Sequence, residues 1–295
     1  MKHLPNLLTL GNLFCGCIAI VYILSAQPYY YVNVNNGLPS FDWVYGAEQM
    51  CMGSIFIAIA AVCDMLDGLV ARALNVFSPI GKDLDSLADV VSFGVAPSVI
   101  MYKLLFDATI LEPNVFDASM LAMVPAFLIA CFAALRLAKF NVSSAAQKTA
   151  FIGMPTPAVG IVVASLPFVL WVGPLKIAHL FAHWLQNKWM LYAIIALLCW
   201  LMVSGIKFIK MVPSRWNMAQ LWPRLVIIVL SGIAFPFLQW AAIPLAFVLY
   251  VLVSLVYKQP EILPNHQDNY ADYAEVNNNQ TGIINTEKDN QKKIN

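Results

Sequence analysis

The chain has 295 residues, of which 60% are hydrophobic and 11% charged, with a formal net charge of +1. Soluble domains carry about 25% charged residues, so this composition, with a mean hydropathy of +0.72, excludes an ordinary soluble domain and predicts an all-α polytopic membrane protein. The near-zero charge offers no footprint for nucleic acid.

Apolar runs predict eight spans, near residues 7–26, 47–74, 84–106, 119–140, 157–174, 189–208, 221–236 and 240–257. The first is long enough to remain a span rather than a cleaved leader. Pro28, Pro39, Pro113, Pro155, Pro174 and Pro213 punctuate the connections. One set of loops carries Lys2, Arg72, Lys82, Arg136, Lys139, Lys148, Lys207, Lys210 and Arg215, and the other only Lys103, Lys176 and Lys188. Nine cations against three predict that the first set faces the cytoplasm, with both termini inside. Residues 258–295 are rich in Asn, Gln, Asp and Lys and predict a disordered cytoplasmic tail, because they cannot bury enough apolar surface to fold alone. The domain division is therefore 1–257 and 258–295. Cys15, Cys17, Cys51, Cys63, Cys131 and Cys199 form no CxxC pair or Cys/His cluster and read as apolar packing residues.

The second and third runs meet at a concentration of charge. Asp64, Asp67, Gly68, Ala71 and Arg72 end one; Gly81, Asp85 and Asp89 begin the next. The pattern is D-x2-D-G-x2-A-R-x8-G-x3-D-x3-D. Ionisable groups in spans are costly and mark functional sites by default. Asp64 and Asp67 are three apart and Asp85 and Asp89 four apart, so each pair shares one helix face. A short turn containing Ser78, Pro79 and Gly81 lets the four carboxylates converge near the cytoplasmic interface. Oxygen-only ligands suit magnesium, manganese or calcium, and two such ions suit displacement at phosphorus. Gly68 leaves room for a ligand, Ala71 keeps the same face small, and Arg72 can fork onto a phosphate. Taken singly, a buried Asp could serve helix packing, and an Asp–Arg pair could be structural.

This spacing resembles the signature of the CDP-alcohol phosphatidyltransferase family, with every fixed position present. The resemblance covers spans 1 through 6. It implies a six-helix membrane core, to which the last two apolar runs add two further spans, and a CDP-linked donor used at the membrane–cytosol interface. It also implies two divalent metal ions, Mg2+ or Mn2+, and membership of a family in which homodimers are common. Asp64 and Asp85 resemble the carboxylates that bridge both metals, Asp67 a ligand to the first, and Asp89 a ligand to the second and the general base. Gly68, Arg72 and Ser78 correspond to donor-contacting positions. In span 1, Asn6 and Thr9 resemble the polar start that lines the nucleotide pocket; alone they would be a helix cap and a solvated end.

The acceptor is read from flanking sequence. Ser92-Phe93-Gly94-Val95-Ala96-Pro97, Arg136-Leu137-Ala138-Lys139-Phe140-Asn141, the 151–158 segment and the stretch from Met202 to Phe208 resemble the membrane-integral phosphatidylserine synthase branch. The implied substrates are CDP-diacylglycerol and L-serine, in the cytoplasmic membrane with the active site facing the cytoplasm. Arg136 or Lys139 could meet the serine carboxylate and Asn141 its ammonium or carboxylate; both cations also fit interfacial anchors. A glycerol-phosphate or inositol-phosphate acceptor is the alternative, for which Lys82 is a lone extra cation beside the motif. A cation transporter would place acidic residues near the midplane, often in repeated halves. Here the acids surround one cytoplasmic turn and no repeat is visible.

Overall fold

The computed structural model of the chain describes residues 4–27, 29–35, 38–44, 47–74, 79–110, 120–143, 151–171, 184–208 and 218–256. The predicted tail, 258–295, and Ser78 lie outside the described residues. The 1–257 unit is a helical bundle. Its α-helices are α1 (Leu4–Ser25), α2 (Ala47–Ala73), α3 (Pro79–Asp89), α4 (Ala96–Ile110), α5 (Leu128–Ser143), α6 (Thr156–Trp171), α7 (Lys188–Val203), α8 (Met218–Leu238) and α9 (Ala242–Val256). A π-helical turn, Val90–Val95, joins α3 to α4 without a break, and a 3-10 segment, Met120–Phe127, leads into α5. Five of the resulting rods are long and apolar enough to cross a membrane: Leu4–Ser25, Glu48–Ala73, Ile80–Thr109, Met120–Val142 and Gln239–Val256. Thr156–Trp171, Lys188–Val203 and Leu225–Pro236 are shorter apolar helices.

Two small antiparallel sheets accompany the helices. Strands β1 (Tyr29–Asn35) and β2 (Leu38–Val44) form a hairpin between α1 and α2, pairing Tyr30 with Trp43 and Val32 with Phe41. Strands β3 (Phe151–Ile152) and β4 (Lys207–Phe208) pair Phe151 with Phe208. The second sheet changes one predicted boundary. The run 189–208 reads as a single span, but α7 ends at Val203, and the chain turns at Ser204 into β4. Gly153 N donates to Ile206 O at 3.0 Å, and Met154 N to Leu201 O at 3.0 Å. Backbone pairing across this turn thus competes successfully with another turn of helix.

Helices pack closely through small residues, as membrane bundles do. α1 lies along α2, α2 against α6, and α5 against the π turn and α7. A Cβ on Gly160 would meet the Phe93 ring and backbone at 3.0–3.1 Å, and one on Gly16 would collide with Ser92. The π turn is therefore gripped by α1 on one side and α6 on another, and Ser92, Phe93 and Gly94 are all buried. Gly153 takes φ +79°, the left-handed region where a side chain is disfavoured, and its would-be Cβ points at Met202 O.

Candidate active site

Proline at the start of α3 suits a helix's first turn, because its missing N–H has no intrahelical partner there. From that start, Asp85 and Asp89 fall one turn apart, while Asp64 and Asp67 occupy the end of α2. The two helix ends bring ligand atoms of Asp64, Asp67 and Asp85 within 4.8 Å of one another. The Asp64 side chain also lies against those of Asp85 and Asp89. Asp89 stands outside the tight trio, and both Asp67 and Asp89 are 7% exposed. Carboxylates at such spacing repel by roughly 3–4 kcal/mol per pair at an effective dielectric of about 20. Asp85 Oδ1 is buried without a hydrogen-bond partner among the described residues. It thus keeps a lone pair of the kind a hard cation takes, so the residues present fit a divalent ion.

α1 supplies neutral polar groups to Asp67 and Asp89. Thr9 Oγ1 contacts Asp67 Oδ2 at 2.7 Å as well as Pro5 O at 3.1 Å. Asn12 Nδ2 donates to Asp89 Oδ1 at 3.3 Å. Asn6 is half-buried in the first turn of α1. Along α2, Gly68 and Ala71 are half-buried and Arg72 is exposed, with Arg72 Nε donating to Gly68 O at 2.9 Å. A Cβ on Gly68 would come no nearer than 3.9 Å to the Arg72 guanidinium, so this edge of the cluster is open. Gly81 is half-buried in the first turn of α3.

On the other side, Arg136 is 8% exposed. Its Nη1 donates to Thr156 Oγ1 at 3.1 Å, its Nε is buried without a partner, and its charge acts on Asp89. Asn141 sits elsewhere in the network. Its Nδ2 meets Ser86 Oγ at 2.8 Å, and its backbone O accepts from Lys82 Nζ at 3.3 Å. Asn141 thus braces the end of α5 against α3 at Lys82 and Ser86.

Sequence reasoning missed Asn12 and Thr156 as members of the site. Asn12 carried a signal: it follows Thr9 by three residues on an apolar helix, so it shares the polar face. Thr156 carried none beyond its place in the Pro155-Thr156-Pro157 turn.

Residues 2–200 match the family model described as CDP-alcohol phosphatidyltransferase. The chain belongs to the CDP-alcohol phosphatidyltransferase family. Among this family's curated members, the CDP-diacylglycerol–serine O-phosphatidyltransferase of Helicobacter pylori strain 26695 is 30% identical over 256 residues, 85% of this chain and 89% of that protein. The protein of the same name from Bacillus subtilis is 32% identical over 168 residues, 57% of this chain and 77% of its own length. The one from Saccharomyces cerevisiae is 34% identical over 167 residues, 52% of this chain and 50% of its own. The matched stretch includes the motif carboxylates on α2 and α3.

Proposed function

We propose that the protein transfers a phosphatidyl group from CDP-diacylglycerol to L-serine, giving phosphatidylserine and CMP. The observation that carries this reading is the convergence of Asp64, Asp67 and Asp85 within 4.8 Å in a chain similar over most of its length to serine phosphatidyltransferases. Asp64, Asp67, Asp85 and Asp89 would hold two divalent ions, Mg2+ or Mn2+, which when bound would offset the charge of the donor pyrophosphate and of the departing CMP.

The chain's own groups do the rest. Gly68 leaves the donor phosphates room, and exposed Arg72 beside it offers guanidinium N–H groups to them. Asp89 takes the proton from the serine hydroxyl as that oxygen bonds to the phosphorus bearing diacylglycerol. The bond from this phosphorus to the CMP oxygen breaks, and CMP leaves with the electron pair. Arg136, held by Thr156, has an Nε–H to spare for the serine carboxylate.

The Lys/Arg bias of the loops supports a site facing the cytoplasm from the cytoplasmic membrane, with both termini on that side. Residues 258–295 would then form a cytoplasmic tail with no catalytic part, and a homodimer fits the family. The acceptor is tested by offering purified protein CDP-diacylglycerol with L-serine, glycerol 3-phosphate or an inositol phosphate. CMP release with serine alone is expected. Release with a phosphorylated acceptor instead would overturn the serine assignment and leave the family intact.

A further inference from the structure

Asn12 has a side chain that the proposed chemistry does not use and the fold alone does not explain. It is 0% exposed, in the middle of an apolar helix. Its Nδ2 donates to Asp89 Oδ1 at 3.3 Å, and its own Oδ1 is buried with no partner among the described residues. A buried amide left half-satisfied is destabilising, so packing gives no reason for asparagine here. The orientation of the amide follows from its neighbour. An aspartate carboxylate only accepts hydrogen bonds, so the N–H side must face Asp89, and the oxygen is left on the far side.

The backbone around Asn12 is held with equal care. Ser92 Oγ donates to Asn12 O at 3.0 Å, and Gly16, one turn further along α1, leaves the space that Ser92 occupies. Ser92 lies in the π turn that begins immediately after Asp89. Such turns are frequent at functional sites, where the extra residue re-aims the chain on either side. Asp89 is thus fixed to α1 twice, through its own carboxylate and through the turn that follows it. Thr9, one turn before Asn12 on the same face, does the corresponding service for Asp67.

From this geometry we infer that Asn12 is a positioning residue, which holds the Asp89 carboxylate in the orientation that accepts the proton of the attacking hydroxyl. The inference rests on the proposed role of Asp89. In this assignment Asn12 acts through Asp89, so its removal is expected to act on the rate of the chemical step and not on substrate binding.

The test uses full-length protein with CDP-diacylglycerol, L-serine and magnesium. Asn12→Leu keeps roughly the volume and removes the N–H without adding a charge; Asn12→Ala removes the whole amide. Both are expected to lower kcat by about 100-fold, the cost of a misplaced catalytic group. KM for serine and for CDP-diacylglycerol should stay within about twofold, as expected for an interaction exerted only in the transition state. Thermal stabilisation of the protein by CDP-diacylglycerol, which does not depend on turnover, should be retained. A kcat within about threefold of the parent overturns the inference. So does loss of donor stabilisation in both variants, which makes Asn12 a structural residue. If the parent protein itself shows no serine-dependent turnover, the failure belongs to the proposed function instead.

Discussion

Removing the charge from Asp89 without changing its size takes away the proposed base and leaves Asp64, Asp67 and Asp85 of the proposed metal set. Asp89→Asn is expected to cut serine-dependent turnover by at least about 100-fold, the lower range for general-base assistance, while binding of CDP-diacylglycerol is largely kept. Near-normal rates in a steady-state CMP assay would remove Asp89 from the role of base. Arg136 makes a different prediction. Arg136→Ala should raise the KM for serine about tenfold or more, because a charge-assisted hydrogen bond to a carboxylate contributes roughly 1.5–3 kcal/mol, with little change in donor affinity. Arg136→Lys should restore only part of this, since an ammonium cannot keep the Thr156 bond and also present a second fixed N–H. An unchanged KM would make Arg136 a simple anchor. The carboxylates were legible in the sequence because four acids in apolar runs are costly and their spacing fixes their faces. Of their partners, Asn12 was marked only by its spacing from Thr9 and Thr156 hardly at all, because each is a common polar residue whose meaning depends on which helix lies opposite.

At the scale of elements, helix positions follow the apolar runs closely, and departures occur where backbone hydrogen bonds have somewhere else to go. The end of α7 is one such place, with β4 pairing to β3. The π turn is another: nothing in Val90–Val95 marks an extra residue per turn, and it becomes intelligible only with Gly16, Ala133 and Gly160 packed around it. The β3–β4 pairing carries a prediction of its own. Gly153 adopts φ +79°, and a methyl there would run into Met202 O. Gly153→Ala should therefore cost about 1–3 kcal/mol, seen as a lower melting temperature in detergent. Because Gly153 leads directly to Thr156, which holds Arg136, the serine KM should rise as well. A stable variant with unchanged KM would separate this turn from the acceptor side.

For the whole molecule, the distribution of cations predicts which membrane face carries the chemistry. In inverted vesicles, protease added from outside should remove residues 258–295, and in intact cells stripped of their wall it should not; the reverse pattern would turn the active site to the other side. The proposed activity is one reaction at one carboxylate cluster. The measurement that tests it most directly is CMP release by purified protein from CDP-diacylglycerol, with and without L-serine, before and after chelation of divalent cations. Release that requires serine, disappears on chelation and returns with magnesium or manganese is the predicted result. Release at an unchanged rate without serine, or after chelation, would contradict it.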